Sequence, residues 1–212
     1  MIIDKLVVGP LAVNCYILAD EQTREGVVVD AGGEPERIAR RVHELGVQVG
    51  QLICTHGHVD HVGAVEPLKR LLGVKFWIHQ QDERYLAHTA ETGRQFGMAN
   101  LENPTVDVYL KDGDTVVFGN QSLLVVETPG HTPGGIVLLG DGDAFVGDLV
   151  FAGSIGRTDL SGGDYGAMMA SLEEKLLALP DHIRLHPGHG ESTTVAIERR
   201  YNPFLRGLAV RR

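Results

Sequence analysis

The sequence predicts an α/β sandwich, and three observations lead to that expectation. Each half of the chain runs strands, then a helix, a strand and a helix. Short β-like runs are bounded by Gly, Pro, Asp or Asn, whereas the helical segments repeat apolar residues at helical spacing. Histidine and aspartate collect at the ends of predicted strands. The 212 residues fit one domain over residues 1–212, because α/β cores commonly run to about 200 to 250 residues.

The first half is predicted to open on a three-stranded meander, followed by helices and buried strands. Turn residues separate its first three β-like runs. Ile38, Val42 and Leu45 are apolar at helical spacing, and Gly73 is placed to end a second helix. The predicted strands cover residues 2–8, 12–18, 26–29, 51–54 and 74–78, and the predicted helices cover residues 34–45 and 64–72.

The second half returns to strands after a segment with a weaker pattern. Residues 83–89 are predicted as a helical stretch, and residues 90–104 as a loop with scattered Gly, Asn and Pro. Loops of this length often cover functional sites. Pro180 is placed to close the next helix. The predicted strands cover residues 107–110, 115–118, 123–127, 136–139, 144–146 and 183–185, and the predicted helices cover residues 165–179 and 193–200.

Composition restricts the partners of the chain. A formal net charge of -9, without a basic stripe, argues against a nucleic-acid partner, because such binding rests on Lys and Arg at phosphates. The amino terminus lacks the features of a signal peptide, and no apolar run reaches the roughly 20 residues of a membrane helix. Cys15 and Cys54 are too few for a disulfide scaffold. We therefore expect a cytoplasmic location, reduced thiols and no membrane partner.

The strongest signal is a cluster of histidines in the sequence THGHVDH. His56, His58 and His61 lie within six positions of one another, with Asp60 beside the last. Imidazoles repel one another when protonated and do not pack as apolar groups, so a bound cation best explains the crowding. In an extended or turning segment His56 and His58 point the same way and can share one ion. Gly57 is expected to keep a Cβ from obstructing the metal.

One cluster supplies too few ligands for two metals, so further histidines and aspartates are expected downstream. They are present as His131 in PGHTPG, Asp148 in GD and His189 in PGHG, each after a predicted strand. Rigid strands that carry ligands on the loops at their ends suit a preorganised site. The sequence therefore predicts a metal site with two ions, built from both halves of the chain.

The remaining histidines lack such a setting. His43, His79, His88 and His182 are expected in ordinary surface or helix positions. His186 stands three residues before a candidate ligand. A structural role is expected for it, because a Pro-Gly turn separates it from that ligand.

Four motifs together resemble the metallo-β-lactamase superfamily, and they span nearly the whole chain. They are THGHVDH, PGHTPG, GD at residues 147–148 and PGHG, in this order. The resemblance implies an αββα sandwich with its site at one edge of the two sheets. Within that superfamily the chain is most similar to short bacterial glyoxalase II-like hydrolases. The segments with this closer likeness are NCY at 14–16, VDAGG at 29–33, GRTD at 156–159 and NPFL at 202–205.

The resemblance implies a cofactor of two divalent metal ions. Zinc is the expected metal, and iron or manganese accepts the same ligands. The implied ligands are His56, His58 and His131 for one ion, Asp60, His61 and His189 for the other, and Asp148 as the bridge. A bridging role suits an anionic carboxylate, which can coordinate two cations at once.

The reaction implied by the resemblance is hydrolysis of a small-molecule thioester, S-lactoylglutathione, to lactate and glutathione. Bound cations lower the pKa of water from about 15.7 toward about 7, which supplies hydroxide at neutral pH, and they polarise the thioester carbonyl. Asp60 is the expected catalytic residue, because it can orient that hydroxide. A thiolate leaves readily, so no separate strong general acid is demanded.

Departures from the longer glyoxalase II enzymes affect the expected substrate site. Their carboxy-terminal helical domain is not expected here, and Gly190-Glu191 stands where they carry an aromatic residue. Arg157 matches a glutathione-contacting lysine in position. We expect Arg157 either to clamp a substrate carboxylate or to form a salt bridge with Asp159. Asp30 is expected to orient the site as a carboxylate behind the ligands.

Two other functions compete with thioester hydrolysis. A persulfide dioxygenase, which uses one iron held by two His and an Asp, resembles the chain around residues 156–159 as well. A non-enzymatic metal-binding module would lack the open coordination positions that catalysis needs. β-Lactam hydrolysis and nucleic-acid processing are less favoured, the latter because the chain is acidic.

Overall fold

The chain alternates strands with short helices, and a computed structural model describes residues 1–209. The strands are β1 (Ile2–Val8), β2 (Val13–Ala19), β3 (Glu25–Val29), β4 (Gln48–Ile53), β5 (Lys75–His79), β6 (Val108–Leu110), β7 (Thr115–Phe118), β8 (Gln121–Glu127), β9 (Ile136–Leu139), β10 (Asp143–Gly147), β11 (Val150–Phe151), β12 (Ser154–Ile155), β13 (Arg184–Pro187) and β14 (Thr193–Thr194). The helices are α1 (Pro35–Glu44), α2 (Val59–Val62), α3 (Val65–Leu72), α4 (Glu83–Leu86), α5 (Thr89–Gln95), α6 (Tyr165–Ser171), α7 (Val195–Tyr201) and α8 (Pro203–Ala209). A 3₁₀ turn at Gln80–Asp82 precedes α4, and a π-helical segment at Leu172–Leu176 follows α6. None of these described helices has the length and apolar character that a membrane crossing needs.

Within residues 1–209 the strands form two six-stranded sheets and one short hairpin. The first sheet keeps chain order from β1 to β6, antiparallel up to β3 and parallel from β3 onwards. The second has the order β14-β13-β10-β9-β8-β7, in which β10 and β13 are parallel and the other pairs antiparallel. The hairpin joins β11 to β12. Parallel neighbours need crossover connections, which α1 supplies between β3 and β4, α2 and α3 between β4 and β5, and α4 and α5 between β5 and β6.

The four layers of the molecule run helix, sheet, sheet, helix. Phe145 is fully buried in the core between the two sheets. Ile38 of α1 and Leu68 of α3 belong to the core on the outer face of the first sheet. Met168 of α6 and Leu205 of α8 belong to the core on the outer face of the second. The predicted αββα sandwich is therefore confirmed.

The predicted order of strands and helices is mostly confirmed, with element ends shifted by a few residues. The amino-terminal meander is present, in the register Ile2↔Ala19 to Val8↔Val13 for its first pair. Cys15 and Cys54 are buried and free, which agrees with the expectation of reduced thiols.

The prediction of a loop over residues 90–104 was wrong for the first part of this segment, because Thr89–Gln95 forms α5. Gly93, one of the residues on which the loop prediction rested, lies inside this helix. An added Cβ at Gly93 would stand 2.5 Å from Leu101 Cδ1. Glycine is needed there because the following segment packs closely onto the helix.

Three further differences concern the second half. The helix predicted over 165–179 changes into the π-helical segment at Leu172–Leu176. The helix predicted over 193–200 begins only at Val195, because Thr193–Thr194 pairs with β13. Helix α8 was not predicted.

The carboxyl ends of three strands meet at one edge of the second sheet. Strands β8, β10 and β13 run in the same direction. Backbone hydrogen bonds tie this edge to the first sheet, since Ile136 donates to Thr55 at 2.9 Å and Asn14 donates to Gly188 at 2.7 Å. Ligands of α/β folds commonly bind beyond the carboxyl ends of strands. The expected location of the site, at one edge of both sheets, is confirmed.

Candidate metal centre

The three histidines of THGHVDH meet where β4 ends and α2 begins. His58 is the residue before α2, and its extended backbone has φ −68° and ψ 149°. The turn brings His61, on the first turn of α2, back toward His56. The centre of the His56 ring lies 4.9 Å from that of His58 and 3.9 Å from that of His61. The three rings therefore share one small volume.

Two histidines from the second sheet join this cluster. The ring of His131 lies 4.5 Å from that of His58, and its Nε2 is 2.8 Å from His58 Nδ1. The ring of His189 lies 5.5 Å from that of His61. A single β-bridge between His189 and Val13 fixes its backbone to the first sheet. Both sheets thus contribute side chains to the same centre.

Two aspartates lie among the rings. Asp148 places Oδ1 3.4 Å from His61 Nε2 and Oδ2 3.5 Å from His131 Nε2. Asp60 places Oδ2 3.1 Å from His189 Nε2 and 3.8 Å from His61 Nε2. The carboxylate of Asp148 consequently faces histidines on two sides.

The seven residues predicted as ligands are all in this cluster, in three overlapping groups. Within each group the candidate ligand atoms lie within 4.8 Å of one another. The groups are His56, His58 and His131; His56, His61 and Asp148; and Asp60, His61 and His189. Nitrogen and carboxylate ligands bind zinc at about 2.0 to 2.2 Å. Donor atoms this close together can therefore surround an ion after small side-chain adjustments.

The protonation of the cluster favours a bound cation. Burial lowers the pKa of His56 well below its ordinary value, and the nearby His61 lowers it further. Burial also lowers the pKa of His58 to about 4, so both rings are neutral at pH 7, the form that binds metals. Burial alone would lower the pKa of His61, but carboxylates including Asp30 and Asp148 raise it well above its ordinary value. A metal ion would replace the positive charge of that proton.

Three buried atoms that face the centre of the cluster lack a hydrogen-bond partner within the described part of the chain: His56 Nε2, His61 Nε2 and Asp148 Oδ1, besides His61 Nδ1 on the side of Asp30. Buried polar atoms are nearly always satisfied. His131, in contrast, donates from Nδ1 to the carbonyl of Arg157 at 2.7 Å. Its Nε2 then presents a lone pair to the cluster. Metal binding would satisfy the atoms that face the centre, so the residues present fit the expected metal.

Asp30 lies behind His61, where it was expected. Its Oδ2 is 3.1 Å from His61 Nδ1. The same carboxylate accepts from the backbone N–H and the hydroxyl of Thr55, at 2.8 and 2.9 Å. Asp30 has a φ of 57°, a left-handed conformation that costs energy for any residue other than glycine. Its orienting role stays a prediction, and the contacts are those that such a role requires.

Asp82 belongs to no motif, yet it joins the two loops that carry His56, His58 and His131. Its Oδ2 accepts from Gly57 N at 2.8 Å and from the Thr132 hydroxyl at 2.7 Å. Its Oδ1 accepts from Gly134 N at 2.7 Å. Burial raises its pKa, and these three donors oppose the rise. The sequence contains one signal for it, an aspartate shortly after a predicted strand.

Close packing against the chain that follows β5 is one reason for glycine at position 57. An added Cβ at Gly57 would stand 2.8 Å from the carbonyl oxygen of Asp82 and 3.0 Å from the ring of Tyr85. The glycine therefore makes room for the 3₁₀ turn and α4, and its predicted role of keeping a Cβ away from the metal stays a prediction.

Arg157 forms the salt bridge that was one of its two predicted roles. Its Nε and Nη2 donate to the two carboxylate oxygens of Asp159, at 2.7 and 2.9 Å. Both side chains are more than half exposed. Substrate clamping by Arg157 stays a prediction, and it would require the guanidinium to exchange or share this partner.

The other histidines lie outside the three ligand groups. The prediction of a surface or helix position for His79 was wrong, because His79 is buried at the end of β5. Its Nε2 lies 2.9 Å from Glu127 Oε1. His186 has Nε2 2.7 Å from Asp143 Oδ1 and stacks on Phe145. These contacts agree with a structural role for His186.

The family is shown by comparison with known sequences. The profile of the metallo-beta-lactamase superfamily matches residues 8–189. The chain belongs to this superfamily. The hydroxyacylglutathione hydrolase GloC of Haemophilus influenzae is 37% identical over 196 residues, which make up 91% of this chain and 92% of that protein.

Solved structures share the fold over nearly the whole chain. BLEG-1, described as a B3 metallo-beta-lactamase, matches with a TM-score of 0.89 and 31% identity, over 96% of this chain and 99% of that one. TTHA1623 in a di-iron-bound form matches with a TM-score of 0.87 and 37% identity, over 95% of this chain and 100% of that one. The family and these relatives identify a metal-dependent hydrolase.

Proposed function

We propose that the chain is a binuclear metal-dependent hydrolase that cleaves thioesters, as glyoxalase II does. The observation that carries this proposal is the position of Asp148, whose two oxygens face His61 and His131 at 3.4 and 3.5 Å. A carboxylate between two sets of histidines is suited to bridging two cations. Ligands drawn from both sheets also support one domain over residues 1–212.

The proposed ligands follow the three groups of the cluster. They are His56, His58 and His131 for one ion, Asp60, His61 and His189 for the second, and Asp148 between them. Zinc is the proposed metal, and iron or manganese accepts the same donors.

The bound ions supply an activated water and polarise the thioester carbonyl. Asp60 accepts a hydrogen bond from the attacking water and so orients it. Burial would raise the pKa of Asp60, but His61 and His189 hold it below its ordinary value, so the carboxylate is ionised and can accept. The water oxygen bonds to the acyl carbon and loses one proton to the solvent, and the carbon–sulfur bond breaks with its electron pair going to sulfur. Thiols have a pKa of about 8.5, so the sulfur leaves as a thiolate without a strong general acid.

The proposed substrate is S-lactoylglutathione, or a related acyl thioester of a small thiol, with a 2-hydroxy acid and the thiol as products. The similarity to the hydroxyacylglutathione hydrolase GloC supports this choice over a lactam or a phosphoester.

Metal analysis combined with turnover of S-lactoylglutathione tests the proposal. We expect two metal ions per chain and release of lactate and thiol in equal amounts. Asp148→Asn removes one anionic oxygen of the bridge, and we expect it to lower metal content and kcat together. A fully metal-loaded protein that leaves thioesters intact would reject the proposal.

The second candidate is persulfide dioxygenase with a single iron, supported by the likeness to ETHE1 from Myxococcus xanthus, which matches with a TM-score of 0.82 and 28% identity. Iron with oxygen uptake on glutathione persulfide, and no thioester turnover, would select it. A metal-loaded protein inactive on both substrates would instead favour the non-enzymatic metal-binding module, and cleavage of a β-lactam alone would favour the activity described for BLEG-1.

A further inference from the structure

A cavity of about 340 Å³ opens beside His58. Its walls come from the loop and first turn around His58, from α4, from α5 and from the segment of Ser161. Because His58 is a proposed ligand, a molecule in this cavity would lie next to the reacting centre. The volume suits part of a small-molecule ligand.

Tyr85 forms a fixed wall between the metal cluster and this cavity. Its ring packs edge-on against His58, with ring centres 5.3 Å apart. Its hydroxyl donates to the carbonyl of Ser161 at 2.7 Å. Gly162 approaches so closely that an added Cβ would stand 2.2 Å from the Tyr85 hydroxyl. The ring is held in place from both sides.

Arg84 places a cation at the same cavity without an acidic partner. Its guanidinium lies 5.0 Å from the centre of the Tyr85 ring and donates to the Tyr85 hydroxyl at 3.1 Å. No Asp or Glu forms an ion pair with Arg84 within residues 1–209. Arg157 and Arg70, in contrast, donate twice each to Asp159 and Glu102. Donors of Arg84 therefore stay free for a ligand anion.

Thr89 gives a second, independent sign of a ligand. It is 2% exposed and lines the cavity. Its hydroxyl has no hydrogen-bond partner in the described part of the chain. A buried hydroxyl is normally paired, and a polar group of a bound molecule would supply the partner.

We propose that this cavity binds the thiol half of the thioester, with a carboxylate of that half on Arg84 and an amide of it on Thr89. The inference rests on the proposed thioester hydrolysis and names the chemistry of its substrate, an acidic peptidic thiol such as glutathione. Tyr85 supports the apolar carbons between these two polar contacts. Guanidinium–carboxylate pairing with two parallel hydrogen bonds gives this recognition its selectivity.

Steady-state kinetics with two substrates test the proposal. S-lactoylglutathione carries carboxylates, and the lactoyl thioester of N-acetylcysteamine carries none. We expect Arg84→Ala to raise KM for the first roughly tenfold or more, the effect of losing one charge-assisted pair, with kcat nearly unchanged. KM for the second should change less than twofold. Arg70→Ala, which removes an arginine on α3, serves as the matched control. Equal losses on both substrates, or a KM effect in Arg157→Ala alone, would overturn the assignment.

Calorimetry with S-methylglutathione, which cannot be hydrolysed, separates this inference from the proposed reaction. We expect Arg84→Ala and Thr89→Val each to weaken its binding, while Arg70→Ala binds as the unaltered protein does. If binding depends on Arg84 but the protein has no thioesterase activity, the result supports the proposed binding cavity and rejects the proposed reaction. If thioesters are hydrolysed but binding is unchanged in Arg84→Ala and Thr89→Val, the result supports the proposed reaction and rejects the proposed binding cavity.

Discussion

Asp30 stands directly behind His61, with its Oδ2 3.1 Å from the Nδ1 of the ring. The opposite nitrogen of the same ring, Nε2, faces the oxygens of Asp148 and Asp60. Burial alone would lower the pKa of His61, and the negative charge of Asp30 is the largest of the carboxylate effects that raise it instead. The same charge would stabilise a cation bound beside the ring. The pairing therefore connects a strained residue after β3 to the proposed metal centre.

Asp30→Asn should weaken metal binding because the neutral amide removes the negative charge that stands 3.1 Å from the His61 ring. We expect affinity to fall roughly 10 to 100-fold, as for other groups behind metal ligands. Metal content measured at a series of buffered free-metal concentrations gives the affinity. Asp141→Asn, on an exposed loop, is the matched control. Equal affinities for the two variants would show that Asp30 does not support His61.

Gly188 lies so close to the cluster that a methyl group cannot be added there. An added Cβ would stand 2.3 Å from Asp148 Oδ1 and 2.6 Å from His61 Cε1. Gly188→Ala should displace both side chains and lower metal affinity by roughly tenfold or more. Gly50→Ala, where an added Cβ meets nothing within 4 Å, should leave affinity unchanged. Metal titration of both variants makes the comparison, and normal binding by Gly188→Ala would remove the steric argument.

Sequence patterns predicted the fold because each predicted strand is either an alternating or a continuous run of apolar residues, and clear turn residues bound it. The ligand set was predictable for a similar reason, since a ligand such as His131 lies in a short motif after a strand. Gly93 shows the limit of this approach. It disfavours a helix locally, and its presence in α5 is explained by its packing against Leu101, a contact that forms only when the segment after the helix folds back onto it.

Asp82 was missed because its role depends on partners far away in the chain, and Arg84 was missed because the cavity that it lines forms only in the folded structure. The Gly134 amide that donates to Asp82 is 52 positions away. Arg84 is singled out by its place at the cavity beside His58, together with the lack of an ion-pair partner within residues 1–209, and no local pattern reveals either. Arg157, selected by position in a motif, has Asp159 two residues away.

The carboxylate of Asp20 should make the free energy of unfolding fall at acidic pH. Its carboxylate accepts from the backbone of Thr23 and Gln22 and from the Gln121 amide, and these hydrogen bonds lower its pKa from 3.8 to about 2. Because the folded pKa lies below the unfolded one, the ionised group stabilises the fold above about pH 4, and this contribution is lost as pH falls toward 2.

Asp20→Asn should therefore lower Tm near neutral pH, by roughly 2 °C for a domain of this size, and the difference from the unaltered protein should shrink as pH falls from 5 toward about 3. Thermal unfolding followed by circular dichroism at several pH values measures it. Asp141→Asn should give a difference that does not vary with pH. A constant gap for Asp20→Asn would show that its charge contributes nothing to stability.

Asp82→Asn should damage both stability and the metal centre. The Gly57 amide, the Thr132 hydroxyl and the Gly134 amide all donate to the Asp82 carboxylate, so one of them would face the NH₂ of the new amide. Leaving a buried donor unpaired costs about 1 to 3 kcal/mol. Because these donors lie on the loops of His58 and His131, metal affinity should fall together with Tm. Glu83→Gln changes the exposed neighbouring residue and should preserve both. If Asp82→Asn lowers Tm alone, its hydrogen bonds stabilise the fold without positioning the ligands.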